Sequence, residues 1–315
     1  MHRRQFLQYC TVQTLASVAM SGVPVAGIAA QVNANTSQYL QKEIPSSGEK
    51  LNVIGMGTWQ TFNVGSDEKL RLSRTKILRT FFTSGGQMID SSPMYGSSQS
   101  VVGDGLQQLH HPKSLFAADK IWTSDGDATA ADMQESLSHW QLEKFHLLQV
   151  HNLVNWQAHL PRLQALKEQG KVKYIGVTTS HGRRHDELEK IMKSHAIDFV
   201  QLTYNMTHRE AESRLLPLAQ EKGIAVIANR PFDGGYLVDR LKRSSEAIPD
   251  WARDLGCKNW PQFLLKYIVS HPAITCAIPA TSKVVHMKEN MGALVGAIPT
   301  EEQRKHMLQY LLALV

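Results

Sequence analysis

Gly55-Met56-Gly57-Thr58-Trp59-Gln60, closing a short apolar run that begins at Leu51, decides the fold. An open, doubly wound sheet built for a dinucleotide needs a three-glycine turn that enters a helix directly, with an acid about twenty residues on. This stretch has no third glycine, and about nine residues separate it from Ser66-Asp67-Glu68, where the first helix signature begins. Outward from it, short apolar runs recur at 51–58, 88–89, 114–123, 145–150, 174–178, 199–203, 224–228 and 275–278. A segment of helical periodicity follows each of them, and a last amphipathic helix covers 301–314. Eight strand–helix units predict a parallel sheet, and eight is the number that closes into a barrel. The expected architecture is an α/β chain with one (β/α)8 domain over 48–315.

The chain has 315 residues, 42% hydrophobic and 20% charged, with a formal charge of +6. Its basic residues are scattered and no aromatic-interleaved basic stripe occurs, which argues against nucleic acid as a partner. The first thirty residues stand apart. Arg3-Arg4 precede Phe6-Leu7, and residues 11–30 carry no charge. This segment resembles a twin-arginine export signal cleaved near Ala29 or Ala30. Gln13, Ser17, Ser21, Gly22 and Pro24 leave it too weakly apolar for a permanent membrane anchor. The resemblance implies passage through the twin-arginine translocase and a periplasmic location for a protein exported already folded. Residues 31–47 read as a polar linker. Beyond Cys10 only Cys257 and Cys276 remain, with no metal-ligand spacing, so no metal site is expected.

The chemistry centres on Gly86-Gln87-Met88-Ile89-Asp90-Ser91-Ser92-Pro93-Met94-Tyr95-Gly96. Met88-Ile89 delivers a carboxylate to a strand end, where an acid needs a cationic partner. A tyrosine follows five residues later. In a barrel, strand ends converge on one mouth. The next two strands bring Lys120 and His151 there. An ammonium at Lys120 is expected to lower the Tyr95 pKa, Asp90 to hold Lys120 charged, and His151 to orient a substrate oxygen. These four residues suit proton transfer to a carbonyl oxygen. Singly, each also reads as packing: an Asx turn, or a satisfied core histidine.

With Ala118-Asp119-Lys120-Ile121 and Leu148-Gln149-Val150-His151-Asn152, the chain resembles the aldo-keto reductase family from about Leu51 to Ala297. The resemblance implies hydride transfer from a nicotinamide to a carbonyl carbon, with Tyr95 as proton donor. NADPH is the implied cofactor, with NADH a second option, and a small-molecule carbonyl compound is the substrate. The cofactor positions it implies are Gly57, Thr58, Thr178, Thr179, Gln201, Asn229, Arg230, Thr281, Ser282, Lys283, His286, Glu289 and Asn290. Thr179 stands where the family has an asparagine, Asn229 where it has a stacking ring, and Ala280 and His286 where many members have lysine and arginine. The strand-to-helix step at 278–284 suits a phosphate, and a Thr/Ser cap on that helix is expected. Trp59, Met94, Trp122 and Asn152 are expected to bound the substrate. A cofactor-binding sensor with little turnover, and an isomerase or lyase using the Tyr/Lys pair alone, remain as alternatives.

Overall fold

The first barrel strand is far shorter than the apolar run that encodes it. The structure, a computed structural model, describes residues 39–244 and 246–314; the expected export segment lies outside them. Within 51–58 the chain makes two elements. β1 (Gln41–Glu43) pairs antiparallel with β2 (Lys50–Asn52), and only β3 (Met56–Gly57) joins the large sheet. The expected linker is therefore corrected: its last residues form a hairpin, closed by Ile44 N–H to Glu49 O and Gly48 N–H to Ile44 O, both 2.8 Å. Ile44 and Leu51 project from it into a cluster with Met88, Phe116, Leu147, Tyr174 and Phe199, near the strands' amino ends. The hairpin thus plugs the barrel floor, a packed core rather than a pore.

The remaining strands are β4 (Met88–Asp90), β5 (Phe116–Ile121), β6 (Phe145–Val150), β7 (Val172–Thr178), β8 (Phe199–Thr203), β9 (Ala225–Asn229) and β10 (Ile274–Ala277). β3 to β10 lie in chain order, all parallel. The sheet closes on itself through Ile54 opposite Ala277 and Gly57 opposite Ala280. Gly55 N–H donates to Ala277 O and Ala277 N–H to Val53 O, each 2.9 Å. A Cβ on Gly55 would lie 2.9 Å from Met88 O, and one on Gly57 3.0 Å from Ile278 O. Both glycines of the deciding stretch serve close backbone approach at this seam.

Around the sheet run α1 (Glu68–Thr83), α2 (Ser98–Gln108), α3 (Thr129–Trp140), α4 (Trp156–Glu168), α5 (His185–Ser194) and α6 (Leu215–Lys222). They are followed by α7 (Tyr236–Arg243), α8 (Asp250–Asp254), α9 (Trp260–Ser270), α10 (Val284–Met291) and α11 (Glu301–Leu314). α1 starts where Asp67 accepts the Leu70 N–H at 2.9 Å and buries Ile77, Leu78 and Phe81 against the sheet. Truncating such a core residue to alanine costs about 2–5 kcal/mol. Between β9 and α9 the chain also folds into α7 and α8. α10 also departs from expectation. Its cap residue is Lys283 and no side chain caps it; Thr281 Oγ1 instead accepts the Lys283 N–H at 3.1 Å. Cys257 and Cys276 are buried free thiols. Among the described residues no helix is long and apolar enough to cross a membrane.

Candidate active site

The carboxyl ends of the strands surround a cavity of about 480 Å³, walled by residues that include Gly57, Thr58, Trp59, Asp90, Met94, Tyr95, His151, Asn152, Thr178, Thr179, Gln201, Asn229 and Arg230. Beneath it lies the ion pair the sequence predicts. Asp90 Oδ2 accepts Lys120 Nζ at 2.6 Å, with both side chains buried, and Ser91 O accepts the same ammonium at 2.7 Å. Asp90 Oδ1 accepts Gln201 Nε2 at 2.9 Å and Gln149 Nε2 at 3.4 Å. Burial penalises the Lys120 charge, yet Asp90 and Tyr95 hold its pKa above the ordinary value. Asp119, the neighbour of Lys120, is completely buried and takes hydrogen bonds from Gln99 Nε2 (2.9 Å) and Trp140 Nε1. Burial pushes Asp119 up to about 7.

Tyr95 ends a single 3-10 turn, Pro93–Tyr95, which Ser92 opens by accepting the Met94 N–H at 3.2 Å. The Lys120 ammonium stands 5.1 Å from the Tyr95 ring centre. The expected lowering of the phenol pKa does not occur: desolvation outweighs the nearby ammonium and pushes Tyr95 up to about 12. The phenol is therefore protonated at neutral pH, the form a proton donor needs. His151 meets Tyr95 edge to face, with ring centres 5.6 Å apart. Burial, then Lys120, drives His151 down to about 2, so its ring is neutral.

Ser92 fixes which nitrogen of that neutral ring carries the proton. Ser92 is fully buried, its oxygen already accepts from Met94, and His151 Nδ1 lies 2.7 Å away. A buried hydroxyl proton needs an acceptor. Donation to Nδ1 supplies it and leaves the hydrogen of His151 on Nε2, as a donor.

The other expected positions divide. Thr178 Oγ1 accepts the Asn152 N–H at 2.9 Å. Thr179 is buried and its hydroxyl has no partner. Asn229 is tied by Thr203 Oγ1 (2.7 Å) and by its own Nδ2 to Thr179 O (2.9 Å). Arg230 donates to Asp233 at 3.0 Å. Thr281, Ser282, Lys283, His286, Glu289 and Asn290 lie off the cavity wall, on the turn beyond Ala280 and on α10. Trp122 stands beside the cavity and is 45% exposed; Asp132 accepts its N–H at 2.9 Å and ties that loop to α3. Sequence reasoning missed Gln149, Ser92 and the wall residues Ser180, His181, Arg183 and Phe232. Gln149 was accessible from strand alternation, since it shares a face with Leu147 and His151.

Residues 53–306 match the family described as the Aldo/keto reductase family. The chain is 26% identical over 260 residues to methylglyoxal reductase YeaE of Escherichia coli, covering 81% of this chain and 89% of that protein. Among solved structures, the holo form of aldo-keto reductase AKR11C1 from Bacillus halodurans is similar, with a TM-score of 0.72 and 19% identity. That likeness covers 87% of this chain and 96% of the other. An aldo/keto reductase from Klebsiella pneumoniae in complex with NADP and acetate is similar with a TM-score of 0.68 and 22% identity, over 84% and 93% of the two chains. With this barrel, this cavity and a match over most of its length, the chain belongs to the aldo/keto reductase family.

Proposed function

We propose that the protein is an NADPH-dependent reductase of aldehydes or ketones, with Tyr95 as the proton donor. The observation that carries this reading is the geometry at one end of the cavity: Tyr95 lies 5.1 Å from the buried Lys120 ammonium that Asp90 holds, and edge to face with His151. When bound, the nicotinamide supplies a hydride to the carbonyl carbon. His151 Nε2–H and the Tyr95 hydroxyl orient the carbonyl oxygen, and Tyr95 gives it a proton as negative charge develops there. Lys120 stabilises the phenolate left behind, and Asp90 keeps Lys120 charged.

The residues present fit the cofactor. The unpartnered Thr179 hydroxyl offers a buried bond to a carboxamide beside Gln201. Phe232 brings a ring to the wall that Asn229 cannot supply. Lys283, with Thr281 and Ser282 at the amino end of α10, would meet a ribose phosphate. The complex of the Klebsiella relative with NADP supports this assignment. Trp59, Met94 and Asn152 would bound the substrate.

The test is Tyr95→Phe, which should abolish carbonyl reduction while NADPH still quenches protein fluorescence with wild-type affinity. Unchanged turnover overturns the mechanism. Tight NADPH binding by the wild type, with no turnover across a carbonyl panel, favours a sensor instead, a reading motivated by Thr179, Asn229 and Ala280. We also propose export to the periplasm on the strength of Arg3-Arg4 and the uncharged stretch behind them. The cofactor would then be loaded before export. Replacing both arginines by lysine should retain the protein in the cytoplasm.

A further inference from the structure

Beside the main cavity lies a recess of about 230 Å³ bounded by Asn152, Thr179, Ser180, Arg183 and Arg184. All of these except Arg184 also line the main cavity, so the two spaces share a wall. The charges around them are unequally settled. Asp90 is neutralised by Lys120, and Arg230 by Asp233. Arg184 is held by Glu187, and by Asn152 O and Leu153 O at 2.7 and 3.1 Å. Arg183 has only neutral partners, Ser180 O at 3.3 Å and His181 Nδ1 at 3.4 Å. It is the one charged side chain of the cavity wall with no ion pair among the described residues.

Its surroundings are tuned the same way. His181 is held below its ordinary pKa by burial and then by Arg230 and Arg183, with Asp233 opposing. α5 begins at this recess, with Arg184 as its cap residue and no side chain capping it. Asn152, Leu153, Asn155, His181 and Arg184 all adopt left-handed backbone, with φ from 43° to 60°. Such conformations are costly for residues other than glycine and gather where function demands a particular loop shape. Here they shape the two loops that frame Arg183.

We propose that the recess binds the anionic group of the substrate, and that the protein selects carbonyl compounds carrying a carboxylate, held by the Arg183 guanidinium while the carbonyl reaches Tyr95. The inference rests on the carbonyl-reductase reading and names its substrate class. A cofactor phosphate has the same chemistry, but topology separates the two. Arg183 follows β7, whereas the turn into α10 follows β10, three strands further round the barrel.

The experiment uses the full chain and a matched pair of aldehydes, 4-carboxybenzaldehyde and its methyl ester. The wild type should favour the acid in kcat/KM, and the preference should weaken as salt is added. Arg183→Gln should lower the acid-to-ester ratio about tenfold, mainly through KM for the acid, as expected for loss of one charge-assisted bond. Arg183→Lys should recover part of the ratio, and the NADPH dissociation constant should stay within about twofold if the guanidinium holds substrate rather than a cofactor phosphate. A wild type indifferent to the carboxylate overturns the proposal, as does an Arg183→Gln variant that loses acid and ester equally. A weakened NADPH affinity overturns it in favour of a cofactor phosphate contact. If no carbonyl is reduced at all, the reductase reading fails separately. Calorimetric binding of 4-(hydroxymethyl)benzoate against its methyl ester, with NADP present, then decides the anion site by the same contrast between wild type and Arg183→Gln.

Discussion

Replacing Asp90 by asparagine tests the ion pair on which the site is built. The substitution keeps size and shape but leaves the Lys120 ammonium, completely buried, with Ser91 O as its remaining close oxygen acceptor. Breaking a buried pair from one side costs about 3–5 kcal/mol, because the surviving charge is left uncompensated. The asparagine oxygen still accepts from Gln201 or Gln149, which places the expected loss near the lower end. For a barrel of this size each kcal/mol moves the melting temperature by about 2 °C, so Asp90→Asn should melt roughly 6 °C below wild type near pH 7. The sign of the pH dependence is also set. In the wild type the Lys120 pKa is raised above its unfolded value, so its contribution is fully present below that value and is lost only as pH rises through the folded one. In the variant, burial without Asp90 lowers the folded pKa instead. Lys120 then sheds its proton on folding as pH rises, and the deficit against wild type should narrow towards alkaline pH. Adding Lys120→Met should recover part of the loss even near pH 7. The assay is calorimetric melting of the four proteins of that cycle across the neutral to alkaline range. An Asp90→Asn protein that melts within about 2 °C of wild type, or whose deficit widens with pH, would refute the reasoning.

Three further outcomes follow from the same geometry. Ser92→Ala should leave NADPH affinity unchanged but lower kcat. It should also shift the ring-nitrogen resonances of labelled His151 away from a single Nε2–H tautomer, and an unshifted spectrum would remove Ser92 from that role. His151, ordinarily near 6.5 and driven down to about 2 in the fold, contributes stability that is present above 6.5 and lost as pH falls towards 2. His151→Asn should therefore flatten the acid side of the melting-temperature profile; Asp119, raised to about 7, acts in the opposite sense, so the readout is the difference from wild type. Thr179→Val removes an unsatisfied buried hydroxyl. It should stabilise the free protein by about 1 kcal/mol and weaken NADPH binding, and a variant destabilised in the free state would contradict the orphan assignment.

Residue order carried much of this, for physical reasons that differ from place to place. Asp90, Lys120 and His151 were legible because a parallel barrel sends every strand end to one mouth, so position along the strand fixes position in the site. The β1–β2 hairpin was not legible. Gln41-Lys42-Glu43 looks like linker, yet it is anchored by partners far along the chain: Lys42 Nζ donates to His271 O and Ile274 O at 2.6 and 2.7 Å, 229 and 232 residues away. The Tyr95 pKa was misjudged because charge is visible in a sequence while the depth of desolvation is not. Arg183 sits in His181-Gly182-Arg183-Arg184-His185, beyond the end of β7 and leading into α5, and nothing in residue order alone separates a cavity-wall arginine there from a solvated loop charge.

The seam between β3 and β10 has one more consequence. Seven of the eight strand junctions are ladders, whereas this one is two isolated bridges flanking glycines. β3 is a stave of two residues, and the shortest stave is expected to open first. Amide hydrogens of Gly55, Gly57 and Ala277 should exchange with solvent ahead of those in β5 to β8. Gly57 and Ala280 also line the cavity, so this short stave borders the very space a nucleotide would occupy. How tightly that stave is latched would set how long a bound nucleotide stays.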